Sequence, residues 1–201
     1  HKIGIENHLC KVVVVATPSV LPHLTQVSKQ LSDFQYIYLG DMTNTQAQDF
    51  LEKHSQSRGW HLEKHQTKNV VTTLGTSCGM LMNFVNVMDN HFKTTGLPIN
   101  DDIINKALQL WVVQTHQQLT QTIPIQCQKT LREWAEETKS TKSSGKSEEW
   151  IKTKFKASVW DYQFVVYRSL LHQGIIKWNP VDKTVDFSSS LMLNTAKLLP
   201  K

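Results

Sequence analysis

The spacing of hydrophobic residues changes character twice along this chain. Near the start, Val12-Val13-Val14-Val15 is an unbroken β-branched run that ends abruptly at Ala16-Thr17-Pro18-Ser19. A run without polar alternation predicts a strand covered on both faces. Pro18 closes it, removing a backbone donor and disfavouring helix at the residue before it. Such a strand needs neighbours. They must come from other apolar runs in the chain, from a part of the protein outside it, or from a partner that completes the sheet.

Beyond this strand the period becomes helical. Leu24, Val27 and Leu31 mark a short amphipathic helix, and Tyr36-Ile37-Tyr38-Leu39 reads as a brief extended segment closed by Gly40-Asp41. Thr43-Asn44-Thr45-Gln46 is a capping box, and behind it Ala47, Phe50, Leu51 and His54 share one face of a helix that stops near Gly59. Residues 60–69 are polar and basic and read as loop or frayed helix, with Val70 to Gly75 a short apolar run ending in glycine. Thr76 or Ser77 then caps a helix whose Leu81, Phe84, Val85, Met88 and Phe92 form a buried stripe. After the break at Gly96-Leu97-Pro98, Asn100-Asp101-Asp102 opens another helix, with acidic residues where the macrodipole favours them and with Ile104, Leu108, Trp111 and Val112 inward. Pro124 ends that region, and Leu131, Trp134 and Ala135 belong to one more helix.

The period changes again near the end. Residues 139–149, rich in serine and lysine, read as a linker, and Trp150, Ile151, Lys154 and Phe155 resume helical spacing. Asp161 caps a helix carrying Phe164, Val165, Tyr167, Leu170 and Leu171, and Gly174 stands where a left-handed cap belongs. Ile175 to Trp178 and Thr184 to Phe187 then alternate on either side of a turn, which predicts a hairpin. Helix, glycine, hairpin is the order of a winged-helix module, although a generic helix-plus-hairpin cap has the same pattern.

The fold class expected is therefore mixed α/β and mostly helical, with short buried strands, a helical lid-like bundle and a C-terminal winged-helix-like helix plus β-hairpin. The expected division is a partial α/β core over residues 1–42, the helical part over 43–138, the linker over 139–149 and the winged-helix-like part over 150–201.

Composition refines this picture modestly. The 201 residues suffice for one sizeable core or two small ones, and 39% hydrophobic against 19% charged residues is ordinary for a globular protein. A net charge of +5 is compatible with a DNA, RNA or phosphate partner without requiring one. The odd set Cys10, Cys78 and Cys127, far apart in sequence, argues against a disulfide framework and for an intracellular, reducing location. No apolar run approaches the length of a membrane span, and the start at His1 reads as that of an excised piece.

Several constellations invite chemistry. Gly145-Lys146-Ser147 has the ending of a phosphate-binding loop, but Ser140 stands where the first glycine belongs and no buried strand precedes it. His54, His61 and His65 lack the cysteine or carboxylate set that would complete a metal site. Cys78 at a helix start could serve as a nucleophile with a histidine, making a Cys/His enzyme the least favoured alternative; a small buried cysteine explains it more simply. Asp101 and Asp102 are adjacent and point apart on a helix, so capping accounts for them better than paired acid–base work. The tryptophans could stack bases, but on apolar faces they are core. Lys152, Lys154, Lys156, Arg168, Lys177 and Lys183 are the residues that would meet nucleic-acid phosphates if the chain is a winged-helix nucleic-acid-binding protein.

The order of these pieces resembles the back half of an AAA-like, STAND-type P-loop ATPase. The resemblance lies in the strand ending Ala16-Thr17-Pro18-Ser19, the Tyr36-to-Leu39 segment, the capped helix with Ala47, Phe50 and Leu51, and the turn Leu74-Gly75-Thr76-Ser77-Cys78-Gly79-Met80-Leu81. The terminal helix and hairpin complete it. That turn is similar to a glycine-containing lid turn but lacks its second glycine and its proline. The resemblance implies that Thr17 is a sensor-like residue facing the nucleotide's γ-phosphate. It also implies a chain with no catalytic residues and no metal site of its own, which does not hydrolyse ATP alone because the Walker lysine and acidic strand are not in this sequence. ATP and magnesium would be bound only where a P-loop part is supplied. The chain would relay nucleotide state to a protein or nucleic-acid partner.

Overall fold

The computed structural model describes residues 40–138, 145–155, 170–171, 173–179, 182 and 184–200. The Val12–Val15 run, Thr17, the Tyr36–Leu39 segment and, apart from Leu170 and Leu171, the helix expected from Asp161 to Leu171 lie outside them. Within them the chain is mostly helical with a small antiparallel sheet. In order come α1 (Asn44–Gln56), α2 (Lys64–Leu74), α3 (Cys78–Thr95), α4 (Asp101–Thr122), α5 (Ile125–Glu137), β1 (Lys146–Ser147), α6 (Glu148–Lys154), β2 (Ile176–Asn179), β3 (Thr184–Phe187) and α7 (Ser190–Ala196).

The ends of these elements follow the expected chemistry. Thr43 caps α1 in a reciprocal capping box with Gln46, each side chain bonding the other's backbone N–H. Asn100 caps α4 by accepting from the Ile103 N–H. At the end of the helical turn at Leu170–Leu171, Gly174 has φ 67°; its N–H donates to Leu171 and that of Ile175 to Leu170, the paired bonds of a Schellman motif.

Two stretches differ from the sequence reading. Residues 64–74 form a full helix because Glu63 and Gln66 build a second capping box, and Gln66, Thr67, Val70, Val71 and Leu74 are buried along one face. The polar surface of its first half hides that stripe. Within the stretch read as a linker, Lys146 and Ser147 pair with Val185 and Thr184 of β3. The sheet order is β1-β3-β2, all antiparallel. Strand β1, ahead of α6, thus adds a third strand to the β2–β3 hairpin.

The buried residues fall into two clusters. Leu51, Val70, Leu74, Leu81, Phe84 and Ile104 centre the first, among α1 to α4. The second is built on Trp134, whose ring centroid is 4.3 Å from that of Phe187 and 5.9 Å from that of Trp150, and it gathers the ends of α4, α5, α6 and the sheet. Because α5 belongs to this second cluster, the sheet unit shares its core with residues on the other side of 139–149.

Helix α7 joins the clusters. It packs on α2, α4 and α5; Leu191 is buried in the first cluster, and Ala196 with Leu199 in the second. Ser189 caps it through the Met192 N–H, and Arg132 donates to the Leu199 carbonyl at 2.6 Å. Its first turn abuts Gly75, which has φ 90° and where a Cβ would stand 2.9 Å from the Ser190 nitrogen. Only glycine meets both conditions.

Leu191→Ala is expected to lower stability by roughly 2–5 kcal/mol, the usual range for truncating a buried leucine. Gly75→Ala should cost about 1–3 kcal/mol from backbone conformation alone, with the contact at Ser190 added. Urea unfolding followed by tryptophan fluorescence and by circular dichroism checks both. Coincident transitions shifting together are expected, whereas separate transitions for the two clusters would refute their coupling through α7.

Candidate functional site

The hairpin's register decides which side chains face out. Ile176 pairs with Phe187 and Trp178 with Val185, all turned to the core; Lys177 pairs with Asp186 and Asn179 with Thr184, turned away from it. Directly opposed residues of antiparallel strands lie on the same face. These outward side chains, with Gly40, Asp41, Gly145 and Asp182, line a cleft of about 190 Å³. Asp41 enters from the chain just ahead of α1.

Lys177 donates to Asp41, 136 positions earlier in sequence, and both side chains are about three-quarters or two-thirds withdrawn from solvent, at 25% and 32% exposure. Asp186 accepts from the Phe187 N–H at 2.9 Å. Burial pushes its carboxyl above the usual range and Asp41 adds to that, while the Phe187 N–H and Lys177 oppose it. Asn179 donates to Asp182 at 2.7 Å across the turn. The cleft's described lining thus carries three carboxylates against one ammonium.

The other basic residues expected to meet phosphates fare differently. Lys154 is exposed, its Nζ 5.8 Å from the Trp150 ring centroid. Lys152 sits on α6, its side chain outside the described residues, as are Lys156, Arg168 and Lys183. Lys146, considered in sequence only as part of Gly145-Lys146-Ser147, has its Nζ 4.8 Å from the Trp150 centroid and binds Glu137 at 3.0 Å. That bond, together with strand pairing of Lys146 and Ser147, fits Gly145-Lys146-Ser147 to the sheet and not to a phosphate cradle.

Among the described residues no three His, Cys, Asp or Glu side chains converge as a metal site. His54 packs on Phe50, with centroids 4.3 Å apart. Cys78 is an exposed free thiol and Cys127 a buried one, whose pKa burial pushes up. Asp101 and Asp102 serve separate partners: Asp102 binds Lys106 at 2.6 Å, while Asp101 accepts from Gln66 at 2.7 Å and meets His65 Nε2 at 3.0 Å. Glu63 stands 3.2 Å from the other imidazole nitrogen of His65. Trp111 meets Phe84 edge-on at 6.2 Å, and the ring of Trp178 packs on the second cluster. No described helix is long and apolar enough to cross a membrane.

No family model, curated protein or solved structure matches the chain.

The His65 cluster ties α2 to α4 and makes that contact pH-dependent. The hydrogen bond with Asp101 raises the His65 pKa from its ordinary 6.5; desolvation opposes it, and the charges of Asp101 and then Glu63 add to the rise. Hydrogen bonds from Gln66 and then His65 lower that of Asp101 from 3.8. A raised histidine pKa contributes stability that is complete below the unfolded value and is lost as pH rises through the folded one; the depressed Asp101 contributes stability that is lost as pH falls through its folded value. A proton NMR titration should place the His65 midpoint above 6.5, and Asp101→Asn should lower it. A midpoint unmoved by that change would refute the pairing.

Proposed function

We propose that this chain is the non-catalytic, regulatory portion of a P-loop ATPase, relaying the nucleotide state of a P-loop core to a partner. The resemblance of its ordered motifs to the lid and winged helix of AAA-like, STAND-type proteins supports the reading. The single observation that carries it is α7, which lies in both hydrophobic clusters. Close-packed interiors transmit displacement instead of absorbing it, so a shift of the α1–α4 bundle carries the hairpin with it. In this reading Thr17 senses the γ-phosphate, and ATP with magnesium is held by the P-loop core.

The cleft's acidity favours a protein partner over nucleic acid. Phosphate backbones are bound by unpaired lysine and arginine, and here Lys177 is bonded to Asp41 beside two further carboxylates. A winged-helix nucleic-acid-binding protein remains the second reading. It draws on the element order and on the exposed Lys154 beside Trp150.

Two assays separate these readings. Calorimetric titration of this chain with Mg-ATP should give no saturable heat, and the chain alone should release no phosphate from ATP. With a P-loop core present in the same chain or complex, Mg-ATP should alter amide exchange across Ser190–Ala196. Gel shifts with a DNA duplex and with RNA should show no binding at about 50 mM salt; tight binding there that collapses by about 200 mM would overturn the first reading in favour of the second. Micromolar nucleotide binding by this chain alone would also overturn it.

A further inference from the structure

Lys177 has two carboxylates to choose between. Asp41 takes its hydrogen bond, yet Asp186 stands directly across the ladder on the same outward face. We propose that Lys177 is an exchangeable ion-pair partner, holding Asp41 while the Gly40–Asp41 backbone is seated on the wing and transferring to Asp186 when that backbone withdraws. This deepens the relay reading, as the regulation of the same cleft, and its test needs no nucleotide.

The chemistry of each group fits the exchange. Asp186 accepts only from its neighbour's Phe187 N–H among the bonds described, which leaves lone pairs for an ammonium. Its carboxylate is partly desolvated, so an approaching cation is attracted more strongly than it would be in water. Side chains directly opposed across an antiparallel pair are close enough for lysine to reach a carboxylate without leaving the face. In neither arrangement is Lys177 left in the cleft without a counter-charge, the situation that makes breaking such pairs costly. Among the described residues the remaining charged group lining the cleft is Asp182, already held by the Asn179 amide; Asn179 and Thr184 are neutral, and Gly40 and Gly145 contribute backbone alone.

The consequence is a competition whose sign can be measured. Asp186 weakens the seating of Asp41 in two ways, as a rival for the ammonium and as a like charge. Met42 reports the seating, because its N–H donates to the Thr76 carbonyl at 3.2 Å one residue beyond Asp41. Amide exchange of Met42, followed by NMR on the whole chain, should be several-fold slower in Asp186→Asn. It should be several-fold faster in Asp41→Ala and in Lys177→Met, with Lys177→Arg close to the native rate. A purely structural Asp186 would give unchanged or faster exchange when replaced, and that result overturns the proposal. A carbon-13 titration of the Asp186 carboxyl supplies a second readout. Replacing Asp41 by alanine should lower its midpoint further with Lys177 present, where the ammonium moves onto it, than in a Lys177→Met background, where only the Asp41 charge is lost; equal falls overturn the exchange. The nucleotide and gel-shift assays decide the relay reading separately, so either idea can fail alone.

Discussion

Helix α7 has to satisfy two cores at once, and most of the described architecture follows from that requirement. A helix this short gains little from its own hydrogen bonds, so tertiary contacts determine whether it forms. Leu191 inserts among the helices of the bundle, whereas Ala196 and Leu199 belong with Trp134 and the sheet. The two attachments fix both ends of the element. They also fix what lies beneath it: α2 must end in a residue that can turn with φ 90° and carry no Cβ where Ser190 passes, and Gly75 is that residue. Arg132, reaching from α5 to the Leu199 carbonyl, satisfies an acceptor in the turn that follows.

Charge is distributed against the chain's average. The net charge is +5, yet the outward face of the hairpin gathers Asp41, Asp182 and Asp186 around a single described ammonium. The burial that raises the Asp186 carboxyl also reverses the usual linkage. A carboxyl whose folded pKa exceeds its unfolded value weakens the fold above that pKa and is relieved as pH falls through it. Asp101, held low by Gln66 and His65, acts in the opposite sense. The two carboxyls therefore respond oppositely to acid, one on β3 and the other at the α2–α4 contact, and bulk charge conveys none of this.

Much of the described fold was legible in the sequence because it is local. The Thr43 capping box, the α3 stripe, the Asn100 start and the glycine-terminated turn before the hairpin depend on residues within a few positions of one another. The alternation of Ile176 to Asn179 and of Thr184 to Phe187 even assigns each side chain to a face. Helix α2 was missed because its buried stripe includes Gln66 and Thr67, polar residues that blur the apolar period. Strand β1 was missed for a different reason. Two residues carry no detectable alternation, and Lys146 and Ser147 are extended only because β3 is there to receive them.

The site was half legible for the same physical reason. Lys177 stood out in sequence as a cation on a hairpin, and the natural inference is that such a lysine meets phosphate. Its partner is instead Asp41, which no local pattern connects to it. The cation's surroundings decide its role: an ammonium in water competes freely for phosphate, whereas one already bonded to a carboxylate, with another opposite, must first break that bond. Nucleic acid would thus have to displace Asp41 before it could use Lys177.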